Sequence, residues 1–88
     1  MKNKFDVYFD TGHGWLKVKK SLLDVLGITD RISQFSYMRN EYAYLEEDYD
    51  ASTFVRAYMK KYGIRPQYRF HHTDKLSRIR NYNSFTAI

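Results

Sequence analysis

Two short runs that alternate apolar and polar residues constrain this chain more than anything else in it. Phe5-Asp6-Val7-Tyr8-Phe9 and Trp15-Leu16-Lys17-Val18-Lys19 stand on either side of Asp10-Thr11-Gly12-His13-Gly14. Side chains on a strand point to opposite faces in turn, so this period of two predicts two strands, with Phe5, Val7 and Phe9 inward. Glycine tolerates the positive φ that a tight reversal often demands, so the stretch between them predicts a hairpin turn. A hairpin alone is marginal in water and needs further strands or helices to cover its apolar face.

The rest of the chain supplies both. Ser21-Leu22-Leu23-Asp24 is a Ser-x-x-acid capping pattern, and Val25, Leu26 and Gly27 follow it. That predicts a helix of under two turns, held by packing because so short a helix is marginal alone. Residues 32–45 predict a second hairpin, turning at Met38-Arg39-Asn40-Glu41, with Phe35, Tyr37, Tyr42 and Tyr44 as cross-strand aromatic pairs on one face. Asp50 is the expected N-cap of the main helix, 51–62, which Gly63 stops. Phe54, Val55, Tyr58, Met59 and Tyr62 form its apolar stripe, and Arg56, Lys60 and Lys61 fall away from it. After Pro66, Gln67–His72 alternates as a last strand. The expected fold is therefore α+β, a single small domain over 1–72. A mainly antiparallel sheet carries two helices on one face in the order ββα-ββα-β. A basic C-terminal tail, 73–88, is expected to be only partly ordered.

With 88 residues there is room for one hydrophobic core. Nine Tyr, six Phe and one Trp must build much of it, and a tyrosine hydroxyl needs water or a partner, so many rings are expected to end at the surface. The absence of cysteine excludes a disulfide framework, a thiolate zinc site and a thiol nucleophile. No apolar run is long enough to span a bilayer, and the first residues lack the apolar stretch of a signal peptide. No membrane partner and a cytoplasmic location, in a bacterial host, are expected.

The net charge of +5 hides an asymmetry. Residues 1–55 carry seven Lys/Arg against nine Asp/Glu, a net of −2, and residues 56–88 carry eight against one, a net of +7. Concentrated positive charge suits a polyanion or an acidic protein surface. Part of the pattern has a structural reading, because acidic residues lead into the main helix and Lys60 and Lys61 close it, which complements the helix dipole.

Three strings, GHGWLKV, ISQFSYMRNEYAYLEEDYDASTF and SRIRNY, together resemble a family of small proteins of uncharacterised activity found in bacteria, phages and plasmids. The resemblance covers nearly the whole chain and implies no activity, so no functional residue carries over. In that family a cysteine often stands where this chain has Tyr49, a departure that counts against any thiol-based role. What the resemblance implies is a setting: accessory proteins of mobile elements often bind and modulate host machinery.

Several chemistries can be weighed on the residues themselves. A metal site would need His13, His71 and His72 with Asp10 or Asp74, but adjacent strand residues such as His71 and His72 point to opposite faces. No metal and no cofactor are expected. Glu46, Glu47, Asp48 and Asp50 read more simply as a charge cluster at a helix start than as paired catalytic carboxylates. No serine sits in a G-x-S-x-G elbow. Asp10, His13 and Trp15 form a candidate ligand loop, yet a lone histidine between glycines reads first as a turn that delivers Trp15 to the sheet. An enzyme using His13 is a distant third.

The leading expectation is a non-enzymatic binding protein of a phage or other mobile element. It would engage nucleic acid, or a host protein complex that binds nucleic acid, through Arg56, Lys60, Lys61, Arg65, Arg69, Lys75, Arg78, Arg80 and Tyr82. Cations neutralise phosphates and exposed rings stack on bases. The alternative is an anti-CRISPR or anti-restriction inhibitor acting purely by protein–protein binding. It would use Tyr37, Tyr42 and Tyr44 as anchors and Glu46, Glu47 and Asp48 to mimic phosphates.

Overall fold

The opening hairpin forms as its alternation predicts. The structure, a computed structural model, describes residues 4–87. Strand β1 (Lys4–Phe9) pairs antiparallel with β2 (Gly14–Lys19), Val7 opposite Leu16 and Phe9 opposite Gly14. Helix α1 (Lys20–Val25) follows, then a 3-10 turn over Thr29–Arg31. Strands β3 (Tyr37–Arg39) and β4 (Tyr42–Glu46) make the second hairpin around Asn40, whose φ of 55° is the left-handed conformation that asparagine tolerates. Helix α2 (Asp50–Tyr62) stops at Gly63, where φ is 71°. Strand β5 (Gln67–His72), a 3-10 turn (Arg78–Asn81) and a two-residue β6 (Asn83–Ser84) complete the order.

The six strands make one sheet, β5-β1-β2-β4-β3-β6. Every pairing is antiparallel except β1 with β5, which run parallel with Phe5 opposite Tyr68. Alternation sorts the side chains. Phe5, Val7, Leu16, Val18, Ala43 and Leu45 face the helices and meet Leu23 from α1 and Phe54 and Tyr58 from α2. The Phe5 ring meets those of Phe54 and Tyr58 edge to face at 5.4 and 5.6 Å, and Phe54 and Tyr58 pack tilted on each other at 5.6 Å. Each fully buried side chain of this size contributes roughly 1.5–3 kcal/mol, so this layer holds most of the fold's stability. The fold is α+β with both helices on one face, as the sequence predicts.

Three local expectations are corrected. Residues 32–36 do not extend the second hairpin: β3 starts at Tyr37, and Phe35 stands outside it, 73% exposed, with no cross-strand partner. Asp50 does not cap α2. Its buried carboxylate turns inward, where Oδ2 accepts from Ser33 N–H (3.0 Å), Ser33 Oγ (2.6 Å) and Ser36 Oγ (2.6 Å). The capping acceptor is Glu46, which takes the N–H groups of Asp48 (2.9 Å), Tyr49 (2.7 Å) and Asp50 (2.8 Å). Nor does Ser21 cap α1, which begins one residue earlier with no side-chain cap.

The largest departure lies beyond residue 72. The segment expected as a partly ordered tail crosses the second face of the sheet as a strap, from β5 at one edge to β3, beside which its own β6 forms the other edge. Thr73 N–H donates to the Phe9 carbonyl (3.0 Å), Ile79 is buried against Trp15 and Tyr44, and Phe85 N–H donates to the Ser36 carbonyl (2.8 Å). The Phe85 side chain reaches the helix-side core. Sequence reading missed this because polar, basic residues with scattered aromatics have no period to detect. Among the described residues, the strap's apolar anchors are Ile79, Tyr82 and Phe85.

Candidate functional site

The Asp10–Gly14 loop is built around one carboxylate. The Asp10 side chain is wholly shielded from solvent and accepts five hydrogen bonds. Oδ1 takes Gly12 N–H (2.9 Å), His13 N–H (3.0 Å) and Arg80 Nη2 (2.9 Å), and Oδ2 takes Arg80 Nε (2.6 Å) and Ser77 N–H (3.0 Å). The Arg80 fork, then the Ser77 N–H, holds the Asp10 carboxyl well below the usual carboxylate range. The same pairing raises Arg80 further above its ordinary value. The Arg80 guanidinium also lies 5.6 Å from the Trp15 ring centroid. Asp10 is therefore a clasp between the hairpin turn and the strap rather than a ligand group.

The glycines of this loop serve approach rather than positive φ. Neither Gly12 nor Gly14 has a left-handed backbone. A Cβ on Gly14 would meet the Phe9 ring at 2.5 Å, and one on Gly12 would meet Arg80 Nη2 at 3.1 Å. Trp15 is 2% exposed, while His13 is exposed with its ring 6.1 Å from that of Trp15. The loop does deliver Trp15 into the fold.

His13 also lines a cleft of about 630 Å³ between this loop, the 33–37 segment and the approach to α2. Trp15, Tyr37 and Arg80 form its inner wall, and Glu47, Asp48, Phe35 and Tyr49 its rim. Within the acidic run the four carboxylates thus divide by role. Glu46 and Asp50 are committed to backbone and serine donors, and Glu47 and Asp48 stay exposed at the cleft.

A second cleft, about 720 Å³, opens where the strap crosses the sheet. Lys17 from β2 and Lys75 and Arg78 from the strap line it together with Tyr8, Tyr44 and Tyr82. Tyr44 and Tyr82 pack at 5.1 Å, Tyr8 stacks on His71 at 4.7 Å, and Arg39 lies 5.1 Å from the Tyr82 ring. Burial pushes the Tyr44 hydroxyl up to about 12 and also raises Tyr8.

The basic residues singled out by sequence do not form one surface. Arg56, Lys60 and Lys61 gather with Arg31 on the outer side of α2, around a depression of about 460 Å³. Arg65 is exposed in the loop after α2. Arg69 pairs with Asp6 at 3.2 Å, and His71 Nε2 lies 3.0 Å from the same carboxylate. Arg80 is held by Asp10. Only Lys75, Arg78 and Tyr82 of that set share the strap cleft. The protein-binding set divides as well: Tyr37, Glu46, Glu47 and Asp48 line the first cleft, Tyr44 the second, and Tyr42 lies under Lys17 (4.2 Å). Sequence reading missed Lys17 and Tyr8. Strand alternation signals both, since each lies between inward residues and so points to the opposite face.

Among the described residues no three His, Asp or Glu side chains come together to hold a metal ion, and no helix is long and apolar enough to cross a membrane. Comparison with protein-family models, with curated proteins and with solved structures finds no match to this chain.

Proposed function

We propose that this protein binds single-stranded nucleic acid in the strap cleft, without catalysing a reaction. The observation that carries the reading is the convergence there of Lys17, Lys75 and Arg78 with the half-buried rings of Tyr8 and Tyr82. Cations track a phosphate backbone, and rings beside them offer sequence-tolerant stacking to bases. A single strand fits this arrangement because its bases are free to reach rings recessed between cations. The partner is nucleic acid itself rather than a host protein that carries it.

The test is a salt series of binding to labelled single-stranded DNA and RNA. Log affinity should fall linearly with log salt, with a slope near −0.7 per phosphate neutralised. The triple variant Lys17→Ala, Lys75→Ala, Arg78→Ala should lower that slope by about 2, three phosphate contacts at that value each. Arg56→Ala, Lys60→Ala, Lys61→Ala should leave it unchanged. No binding at low salt, or loss of binding only in the α2 variant, would overturn this assignment.

A further inference from the structure

We infer that the first cleft receives a lysine or arginine side chain presented by a basic segment of a partner protein. This does not rest on the nucleic-acid reading, because the residues differ and the sign of the charge is opposite. Three observations converge. The cleft, about 630 Å³, has room for a long side chain and a stretch of backbone. Its walls are aromatic: Trp15 and Tyr37 meet edge to face at 6.3 Å inside, and Phe35 (73% exposed) and Tyr49 (67% exposed) stand at the rim. Exposed rings of this size around one cavity mark a contact surface rather than unfilled core.

The third observation is charge. Among the described residues, Glu47 and Asp48 make no ion pair and no side-chain hydrogen bond. Glu46 also carries a negative charge, although its oxygens are engaged by backbone N–H groups. The cation at the inner wall, Arg80, is already matched by the shielded Asp10 carboxylate. The cleft therefore presents net negative charge beside ring faces. That combination repels phosphate and attracts a cation whose stem is apolar, through ring quadrupole and carboxylate together. Arginine fits both features best, since its planar head stacks on rings and bonds a carboxylate through a fork.

Trp15, the single tryptophan, lines this cleft and reports on it directly. The experiment titrates the protein with a short Gly-Arg-Gly-Arg-Gly peptide, its Gln-for-Arg counterpart and free arginine amide, following Trp15 fluorescence. We expect saturable binding of the Arg peptide and at least tenfold weaker binding of the Gln peptide and of arginine amide. Glu47→Gln with Asp48→Asn, and separately Phe35→Ala with Tyr49→Ala, should each weaken the Arg peptide at least tenfold. All four are exposed positions, so far-UV circular dichroism should be unchanged. The Lys17, Lys75, Arg78 variant should bind the peptide normally, which separates this site from the strap cleft. Equal binding of the Gln peptide, or normal binding by the carboxylate variant, overturns the proposal. Free arginine amide as tight as the peptide would assign the cleft to a small cation instead. A self-association that the carboxylate variant abolishes would assign it to a second copy of this chain. Either result also overturns it.

Discussion

The two faces of the sheet are covered by different means. Helices α1 and α2 cover one face with Leu23, Phe54 and Tyr58 packed on aliphatic and phenyl groups, and they satisfy their own backbone through helical hydrogen bonds. The strap covers the other face as an irregular segment, so its polar groups need partners from elsewhere. Asp10 takes Ser77 N–H, Ser77 Oγ takes Ile79 N–H, and the rings beneath are tyrosines and Trp15. A regular layer seals a face by dispersion and shape. An irregular one is held by a few polar clasps and leaves gaps between them, and the strap cleft is such a gap.

The comparison breaks most visibly in the core. Phe54→Ala should cost about 4 kcal/mol, while Ile79→Ala under the strap should cost about 2 kcal/mol, as urea midpoints would show. Equal losses would mean that the strap is as tightly packed as the helices. Gly14→Ala should cost about 2 kcal/mol, because the new methyl group overlaps the Phe9 ring. A thermal scan would report this as a fall of roughly 8–16 °C.

Acid separates the faces next. With the Asp10 carboxyl depressed in the folded state, its stabilisation is complete above an ordinary carboxylate value of about 4 and is lost as pH falls below it. Wild type should therefore lose stability between about pH 5 and pH 2 more steeply than Asp10→Asn does. Identical acid slopes would show that the clasp is not electrostatic. The smallest expected effect is Gly12→Ala, under about 1 kcal/mol, because the Arg80 tip it meets can shift. A larger loss would show that the Arg80 fork has no freedom at all.

The difference between the faces also explains what was legible in the sequence. Hairpins and helices have periods, and Phe5, Val7, Leu16, Val18, Phe54 and Tyr58 fall inward where alternation and the helical stripe put them. The strap has no period, and its clasp joins residues 70 positions apart. The histidine between glycines is the more conspicuous residue in the sequence, yet Asp10 organises the loop. In the acidic run, sequence reading assigned the cap to Asp50 and grouped Glu46 with Glu47 and Asp48, and only tertiary contacts show Glu46 as the cap and Asp50 as the buried partner of two serines. The clefts depend on how the strap and the loops close, which no local pattern encodes.

The Asp10–Arg80 clasp also sets an order of events in time. The β1–β2 and β3–β4 hairpins close over a few residues, whereas β5 must return to β1 with Gln67 opposite Lys4 before the strap can cross the sheet. Loop closure over such separations carries an entropic barrier that local contacts escape. Burial of Trp15 should thus trail formation of the helices during refolding, with its fluorescence lagging far-UV circular dichroism. Until that late step the strap cleft does not exist and the first cleft lacks Arg80 from its inner wall, so binding competence is completed only when the strap docks.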